Sequence, residues 1–591
     1  MLMMTALFIL FQGPPFIREH FNAYEYNDHY RESILTKKDM WAGAEYASEE
    51  VALITDSEEL ERTVREWANY SKRRVTGYSS MSQAAGTVAD STVCVVVTKE
   101  AWEEKGFLKS VRYFLERGVT VLFADLPDVT VIQQDFQARK ILGIDDVVKN
   151  EITTDGIRLF DGFLLGGERI FMPENESEND RQDLELTMPW YRTGAGVETF
   201  MMGIFKDELY EGEKLDNEEL PPVIWSCGHE NAKVYAIQGN YMHDRMIAMG
   251  ILSAVMADSK EFSLYPVVNS QQLQIINFPS LANENQQVMQ EIYSRTQNQF
   301  EQNIVYPGLK ADTDRNGFNL TAYLMPQYDY SDENDPVYGK LAWYLEQLNE
   351  QKAELGYSLV HNDTVTLEEK LKLDLHILNS QAPNYRIAAV YVSQEEAEDT
   401  LGKFPEDFRE SVNTICTENY AEKGIIDYLD DRITIQQSTA MANTFTYLND
   451  LQMMGAETAL GYASVSIDMK RILWPETEED QWQNASKRIF SVVDTYFKNF
   501  NMFDKTTASE TDRNLRNLLS ANYSCSVEGD VIHVDADRFT EQMSFILRLH
   551  NKKVTEVTNG SFEFIEKDAY LIRVTDQSSD ILLEDDRKMD R

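Results

Sequence analysis

The sequence has few cysteines for its length, and they lie far apart. Its 591 residues include four, Cys94, Cys227, Cys416 and Cys525, and no two of them form a CxxC pair. A zinc knuckle needs paired cysteines, and a disulfide-dense scaffold needs more of them in a shorter chain. Both classes are therefore excluded, and the cysteines are predicted to be small buried apolar residues.

Basic side chains are also scarce. Lys and Arg number 55 against 99 Asp and Glu, which gives a formal net charge of −44. Proteins bind nucleic-acid backbones through Lys and Arg that displace counterions, so this charge predicts no nucleic-acid partner. The sequence also contains neither a GxGxxG nor a Walker motif, and no phosphate-binding loop is predicted.

The apolar run at the start of the sequence is short. It covers residues 2–11, LMMTALFILF, and the breaker QGPP follows it. A membrane-spanning helix needs about 20 apolar residues, and a secretory signal carries a basic segment before its core. We expect residues 1–15 to be part of a signal anchor and 16–49 a linker, in a single-pass cell-membrane protein whose bulk is extracytoplasmic. A short buried helix is the alternative.

The rest of the chain has the composition of a globular protein, with 43% hydrophobic and 11% aromatic residues. Its length corresponds to about three to four domains. In residues 50–258, apolar strands such as VALITDS and STVCVVV alternate with amphipathic helices. This alternation predicts an α/β fold with a parallel sheet covered on both faces.

The end of this segment has a strand, a polar turn, the strand KVYAIQGN and a helix that ends in GILSAVM. The layout resembles the flavodoxin-like, glutamine-amidotransferase-like domains attached to bacterial carbohydrate enzymes. An active member would carry its cysteine on a tight glycine-flanked turn, where the thiolate is exposed. Cys94 instead lies within the strand TVCVVV, so no amidotransferase nucleophile is expected.

Repeated β/α units follow in residues 262–520 and predict an irregular (β/α) barrel. The order of these units resembles the polysaccharide deacetylase family, in particular the deacetylase-containing protein of Pel exopolysaccharide systems. Residues 523–585 contain short alternating strands and predict a small antiparallel β-sandwich. Together the three units are similar to an uncharacterised bacterial family of membrane-anchored proteins, and the resemblance implies a role in exopolysaccharide or biofilm formation.

The metal ligands that this resemblance implies are missing. The family uses an Asp-Asp pair after the first strand and a His-x-x-x-His pair further on, which leave one zinc position open for water. After the first strand the chain has Asn277 and no acid, and Ser358 and Asn362 stand where the histidine pair is expected. His361 lies one residue before the position expected for the second histidine. We therefore expect a catalytically degenerate barrel without a metal.

Other residues could still supply ligands. Under the alternative of an active metal-dependent deacetylase or another carbohydrate hydrolase, a divalent metal such as zinc would be bound by Asp329, Asp332, His361 and Asp363. The other interpretation is that the acidic stretch QYDYSDEND is a solvated loop, which is common in an acidic protein.

A barrel without ligands can still bind sugar, because carbohydrate sites combine aromatic faces with a few carboxylates and amides. We expect an accessory protein that binds or guides a polysaccharide, and a cationic amino-sugar polymer would suit the charge of −44. A third possibility is a structural scaffold for a membrane glycosyltransferase complex. The candidate substrate-binding residues are Trp343, Tyr344, Tyr357, Trp474 and Trp482, with Asp329 and Asp468.

Overall fold

The computed structural model describes residues 34–172, 184–205, 220–229, 231–331, 334–393, 400–418, 420 and 422–586. The predicted anchor, part of the predicted linker and Asp332 lie outside these residues. Within the described part of the chain, no helix combines the length and the apolar character needed to cross a bilayer.

The first unit is built on a mixed sheet of nine strands in the order β2-β1-β3-β4-β11-β10-β9-β6-β7. The strands from β2 to β11 are parallel, as the sequence predicts, whereas those from β11 to β7 are antiparallel. The parallel sheet that the sequence predicts is therefore present in the first half, and the second half adds antiparallel strands, of which β10 and β11 are joined by a short hairpin. The strands are β1 (Glu50–Ile54), β2 (Arg74–Gly77), β3 (Thr92–Val97), β4 (Thr120–Phe123), β6 (Gly156–Leu159), β7 (Arg169–Phe171), β9 (Val197–Ile204), β10 (Pro222–His229) and β11 (Ala232–Ile237), and a separate pair contains β5 (Ile144–Thr153) and β8 (Thr187–Thr193).

Helices cover this sheet, and the first shows why they form. Its N-cap is Ser57, whose side chain accepts a hydrogen bond from the Leu60 amide at 3.2 Å. Leu60, Val64 and Trp67 are buried at helical spacing, so one face packs on the sheet. The helices of this unit are α1 (Glu58–Tyr70), α2 (Met81–Thr87), α3 (Phe107–Glu116), α4 (Val129–Gln134), α5 (Phe136–Leu142) and α6 (Arg245–Asp258).

The second unit is a curled sheet of nine strands, here called the barrel-like sheet. Its order is β18-β19-β17-β16-β15-β14-β13-β21-β20, and all its neighbouring strands are parallel except β18 and β19. The strands are β13 (Ser270–Ile276), β14 (Leu320–Leu324), β15 (Glu354–Ser358), β16 (Ala389–Tyr391), β17 (Thr414–Thr417), β18 (Ile426–Tyr428), β19 (Thr434–Gln437), β20 (Ala440–Met441) and β21 (Tyr462–Asp468).

One segment connects the two ends of this sheet. β19 pairs with β17, and β20, three residues later, pairs with β21. Between them the Ser438 amide donates to the Thr417 carbonyl at 2.8 Å, and the Thr439 amide donates to the Ser464 carbonyl at 2.8 Å. The carboxyl ends of the parallel strands therefore converge on one common edge.

Helices surround the barrel-like sheet, and a single π-helical turn, Glu301–Val305, interrupts them after β13. The helices are α7 (Gln286–Tyr293), α8 (Gln297–Phe300), α9 (Tyr306–Asn316), α10 (Lys340–Glu350), α11 (Leu367–Gln381), α12 (Glu406–Ser411), α13 (Tyr447–Leu460), α14 (Met469–Leu473), α15 (Trp482–Asn499) and α16 (Ala508–Ser520).

Helix α16 closes the sheet at the amino ends of its strands. The Ala508 amide donates to Thr321 Oγ1 at 2.9 Å. The Ser509 amide and hydroxyl donate to the two Glu354 carboxylate oxygens at 2.9 and 2.6 Å. Because the first amides of a helix have no partner within the helix, these contacts satisfy both the helix end and the polar groups of the strands.

The third unit is a pair of four-stranded antiparallel sheets, ordered β12-β24-β27-β26 and β22-β23-β28-β25. The sequence prediction assigned residues from 262 onward to the barrel, but β12 pairs with β24 of this unit. Strand β12 thus precedes the barrel-like sheet in sequence, but it belongs to a sheet whose other strands come after the barrel-like sheet. The strands are β12 (Phe262–Val267), β22 (Asn522–Glu528), β23 (Val531–Asp537), β24 (Met543–Leu549), β25 (Lys552–Val557), β26 (Gly560–Glu566), β27 (Ala569–Val574) and β28 (Ser578–Asp585).

A buried carboxyl lies where α13 and α15 pack on the outside of the barrel-like sheet. Glu457 accepts hydrogen bonds from Gln271 Nε2 at 3.0 Å and from the Tyr496 hydroxyl at 2.8 Å. Its second oxygen has no hydrogen-bond partner among the described residues, and no cation pairs with it. Burial therefore raises the pKa of Glu457 to about 8.

We expect Glu457→Gln to flatten the pH dependence of stability. The unfolded chain releases this proton near pH 4.5, whereas the folded protein retains it until about pH 8, so wild-type stability falls as pH rises between these values. Glutamine keeps a side-chain acceptor and does not titrate. Between pH 5 and 8 the wild type should lose at least about 1 kcal/mol more free energy of unfolding than the variant, measured by urea denaturation.

Glu410→Gln, at an exposed position, is the matched control and should follow the wild type. A Glu457→Gln variant with the same pH dependence as the wild type would contradict the assignment.

Candidate functional site

A row of hydrogen-bonded polar side chains lies at the carboxyl edge of the barrel-like sheet. The Ser358 hydroxyl donates to Asn277 Oδ1 at 2.7 Å, and Asn277 Nδ2 donates to Asp468 Oδ1 at 2.7 Å. Ser358 and Asp468 are the last residues of β15 and β21, and Asn277 directly follows β13. Parallel strands end at the same edge of a sheet, which is why three residues distant in sequence meet there.

Asp468 is held by contacts on both sides. Its carboxylate caps α14 by accepting from the Lys470 amide at 2.9 Å, and its own amide donates to Asn443 Oδ1 at 2.8 Å. Burial raises the pKa of Asp468, hydrogen bonds from Asn277 and Lys470 oppose this, and the charge of Glu418 raises it further. Asp468 Oδ2 has no hydrogen-bond partner among the described residues.

Glu418 places a second carboxyl group at this edge. It directly follows β17, and its Oε1 accepts a hydrogen bond from the Tyr391 hydroxyl at 2.8 Å, at the end of β16. The Ser438 and Ser466 hydroxyls also bond to each other across the adjacent strands. Six strands or strand ends therefore contribute carboxylate, amide or hydroxyl groups to one edge.

An aromatic pair stands beside this row. The rings of Tyr328 and Trp474 lie 4.9 Å apart at 58°, and Lys470 Nζ lies 4.7 Å from the Tyr328 ring. Trp474 is the C-cap of α14 and Asp468 its N-cap. At about 1.5 Å of rise per residue, a five-residue helix separates the aromatic pair from the carboxylate by only about 8 Å along its axis.

A buried carboxylate positions the loop that carries Tyr328. Glu284 is 1% exposed and accepts hydrogen bonds from the Tyr328 amide at 2.9 Å and the Asp329 amide at 2.6 Å. The neighbouring Asn285 donates through Nδ2 to the Leu473 carbonyl at 2.8 Å. The loops after β13 and β14 and the end of α14 are thereby tied together.

A buried ion pair fixes the chain just after Asn277. Glu301, on the π-helical turn, is fully buried and lies 3.3 Å from Lys340 Nζ. Its carboxylate also accepts hydrogen bonds from the amide and hydroxyl of Ser280, and Lys340 Nζ donates to the Ser280 carbonyl. Burial raises the pKa of Glu301, whereas Lys340 lowers it. These contacts hold the backbone at Ser280, three residues after Asn277.

The carboxyl edge does not fit a zinc site of the deacetylase kind. Zinc sites are built from Cys, His and carboxylate ligands, usually three in a catalytic centre. Among the described residues, no group of three or more His, Cys, Asp or Glu side chains is placed to hold a metal ion. Asn277 and Ser358 contribute an amide and a hydroxyl to this edge, and neither group is among the usual zinc ligands.

The candidate catalytic and metal-binding residues Asp329, His361 and Asp363 lie in the loops around this edge. Asp329 accepts hydrogen bonds from the Ser331 amide at 3.0 Å and hydroxyl at 2.6 Å, and Ser331 and Asn362 lower the pKa of Asp329. His361 donates through Nδ1 to the Leu359 carbonyl at 2.8 Å. Asp363 is exposed. The structure thus uses Asp329 and His361 in local loop contacts and does not gather the three as metal ligands.

The aromatic candidates differ in their surroundings. Tyr357 is buried, with its hydroxyl donating to Asp374 Oδ2 at 2.7 Å, so it offers no face to a ligand. Trp343 is half-buried against Tyr344, 4.8 Å between ring centroids. Trp482 packs on Phe300, at 9% exposure. Of the tryptophan and tyrosine candidates, Trp474 is the one at the carboxyl edge.

The sequence analysis missed Glu418, Tyr391, Tyr328 and Lys470. A signal for Glu418 was present, because it follows the strand TICT at the two-residue spacing of Thr414 and Cys416 and so lies on the same face as these two residues. Polar residues at the ends of parallel strands share one edge whatever their distance in sequence.

Comparisons with known proteins give a family match over part of the chain. The model of DUF2194, described as an uncharacterised protein conserved in bacteria, matches residues 212–366. No curated protein sequence matches the chain.

Several solved structures resemble the fold at low sequence identity. The carbohydrate deacetylase Agd3 aligns over 91% of this chain and 98% of its own, at 10% identity and a TM-score of 0.46. The exo-β-1,4-mannosidase Op5Man5 of an Opitutaceae bacterium aligns over 35% of this chain and 36% of its own, at 11% identity and a TM-score of 0.22. A putative ThuA-like protein of Bacteroides uniformis aligns over 37% of this chain and 95% of its own, at 12% identity and a TM-score of 0.23. Each activity is that of the neighbour.

We expect Asn277→Asp to destabilise the protein at neutral pH. The variant would place a second carboxylate at hydrogen-bond distance from Asp468, and two carboxylates sharing a partly buried site cannot both ionise without cost. The free energy of unfolding should fall by roughly 2 kcal/mol at pH 7 and recover toward pH 5, where the pair shares a proton.

Urea denaturation at both pH values provides the measurement. Asn349→Asp, at an exposed position of α10, is the control and should change stability little at either pH. Equal behaviour of the two variants would show that Asn277 does not donate to Asp468.

Proposed function

We propose that the carboxyl edge of the barrel-like sheet binds a polysaccharide. The observation that carries this proposal is the aromatic pair Tyr328–Trp474 beside the hydrogen-bonded row of Ser358, Asn277 and Asp468. A sugar ring has an apolar face that stacks on an aromatic side chain and hydroxyls that need donors and acceptors around it. One short helix joins these two kinds of surface.

Asp468 is the member of the polar row that is partly exposed to a ligand, since Asn277 is 2% exposed and Ser358 is fully buried. Asp468 Oδ2 is without a partner in the described part of the chain, and Asn277 uses only one of its two Nδ2 hydrogens within the row. The neighbouring loops are held by Glu301, which binds Ser280, and by Glu284, which binds the Tyr328 amide. Polar groups that are already ordered in the free protein lose little conformational entropy when they bind the hydroxyls of a ligand.

The charge of the chain favours a cationic polymer. A net charge of −44 attracts a partly deacetylated amino-sugar chain, and the carboxyl groups of Asp468 and Glu418 suit its ammonium groups. An accessory role in exopolysaccharide formation, outside the membrane behind an N-terminal anchor, stays a prediction. So do the amidotransferase-like and Pel-type resemblances and a partnership with a membrane glycosyltransferase.

A second candidate function is hydrolysis of the bound glycan. Burial and the charge of Glu418 raise the pKa of Asp468, which is the direction that a general acid requires. Asp468 would protonate the leaving oxygen of the glycosidic bond while Glu418 takes a proton from the attacking water, so that water adds across the broken C–O bond. Metal-dependent deacetylation finds no such support, because the described residues hold no ligand cluster.

We expect Trp474→Ala to weaken binding of partly deacetylated chitosan oligomers about tenfold, equal to ~1.4 kcal/mol. The loss follows from removal of one aromatic face, and isothermal titration calorimetry measures it. Trp190→Ala, which removes a half-buried tryptophan from β8 of the first unit, is the matched control and should bind as the wild type does.

Binding of chitosan oligomers should also weaken as salt is added, because screening reduces attraction between exposed charges. If the wild type binds none of the chitosan, acetylated or neutral glucan oligomers, the proposed function is wrong.

The hydrolytic candidate predicts a different result. Asp468→Asn is nearly isosteric and should reduce the release of reducing ends at least about 100-fold while leaving oligomer binding within a few-fold. Acetate release is measured in the same reactions, with and without a chelator. Absence of reducing ends from the wild type rejects hydrolysis, and chelator-sensitive acetate release would identify a metal-dependent deacetylase instead.

A further inference from the structure

A cavity lies where the first unit meets the third. Its walls come from the segment before β1, the turn after α1, the connection between α6 and β12, and strand β22. Its volume of about 310 Å³ is at the lower end of the range for small-molecule sites. The cavity shares no lining residue with the carboxyl edge of the barrel-like sheet.

Cations outnumber anions in these walls, in contrast to the acidic chain. Lys72, Arg73 and Lys260 line the cavity with Glu49 and Glu261. Glu49 lies between two of the cations, with Oε2 at 2.9 Å from Arg73 Nε and Oε1 in contact with Lys260 Nζ. Burial alone would raise the pKa of Glu49, but Arg73 and Lys260 lower it to about 2. Glu261 is exposed at the rim.

Arg73 has donors that the protein does not use. Its side chain is 6% exposed, and its guanidinium lies 5.3 Å from the Trp67 ring. Nε is bonded to Glu49, whereas the two terminal nitrogens have no hydrogen-bond partner among the described residues. A guanidinium carries five N–H donors, so four of them are left on the side chain of a residue that lines the cavity.

Lys72 adds a second buried cation without a carboxylate partner. It is 6% exposed, its Nζ donates to the Leu518 carbonyl at 2.6 Å and lies 5.3 Å from the Trp41 ring. Burial lowers the pKa of Lys72 to about 7. An anion in the cavity would stabilise the charged form of this amine.

We propose that this cavity binds a small organic anion whose carboxylate or phosphate group is held by the terminal nitrogens of Arg73. The planar guanidinium fork matches two oxygens of either group, and bidentate contacts of this kind are strong and directional. Lys72 and Lys260 supply further positive charge, and Trp41 and Tyr523 form walls for the remainder of the ligand. The volume suits a sugar acid or a sugar phosphate.

Cys525 reports occupancy of the cavity. This free thiol is exposed and lines the cavity, whereas Cys94 and Cys416 are buried and Cys227 is partly buried elsewhere. The full chain is alkylated with neutral iodoacetamide in the presence of glucuronate, glucose 6-phosphate or glucose at fixed ionic strength, and labelling is followed by mass spectrometry. We expect at least one of the two anions to slow labelling of Cys525 saturably, with no effect on Cys227 and none from glucose.

Variants separate the cavity from a general effect of charge. Arg73→Met should raise the concentration for half-protection at least tenfold. Arg74→Met is the matched control, because Arg74 is the adjacent residue, pairs with Glu50 and does not line the cavity, and protection should be unchanged. Ala47→Trp, which enlarges a lining residue away from the Cys525 reporter and leaves the charge unchanged, should abolish protection, and it tests the site if Arg73→Met does not fold.

If only glucuronate protects Cys525, the cavity is a carboxylate site. If only glucose 6-phosphate protects it, the cavity is a phosphate site. Protection by both anions identifies a general oxyanion site. The proposal is overturned if neither anion protects Cys525 beyond sodium chloride of equal ionic strength. It is also overturned if Arg74→Met weakens protection as much as Arg73→Met does.

Discussion

Many side chains inside the barrel-like sheet are polar, and a buried polar group without a hydrogen-bond partner costs about 1–3 kcal/mol. Hydrogen bonds therefore hold these groups, with exceptions that include Gln274 Oε1 and Ser464 Oγ, which have no partner among the described residues. At the amino ends of the strands, Gln272 bonds to Gln436, and Gln436 donates to Thr414. Helix α16 completes this set by offering its first amides to Thr321 and Glu354. The requirement to satisfy a polar interior thus explains why a helix is inserted at that end.

The same requirement has a different solution at the carboxyl ends. Among the described residues no helix inserts there, and Ser358, Asn277 and Asp468 bond to one another instead. A mutual row satisfies only part of their capacity, and the partly exposed Asp468 offers its second carboxylate oxygen to a ligand. The candidate binding edge is therefore the end of the barrel-like sheet where the strand ends bond to one another and not to the first turn of a helix.

Local signals in the sequence are enough to predict much of the fold. The amphipathic helix expected after the strand VALITDS is present at Glu58–Tyr70, because Ser57 caps it and its apolar residues recur at helical spacing. The position of β12 could not be predicted, since a strand chooses its partner by the surface that it buries and its partner β24 lies far along the chain. For the site, Asp468 was recognisable as the acid that ends a strand. Glu418 could be recognised in the same way, but its distance from Asp468 depends on which strands are neighbours.

The contact between the first two units rests on a close approach of helices. A Cβ added to Gly250 of α6 would lie 2.4 Å from the Gly455 Cα of α13, so the two backbones touch where only glycine fits. This contact joins the first unit to the barrel-like sheet, while Lys72 donates to the end of α16 and Glu49 bridges Arg73 to Lys260. The cationic cavity is enclosed by these junctions and not by any one unit. An anion bound there would contact the first and third units together, so its binding energy would stabilise their arrangement. The cavity shares no residue with the acidic edge that suits a cationic polymer.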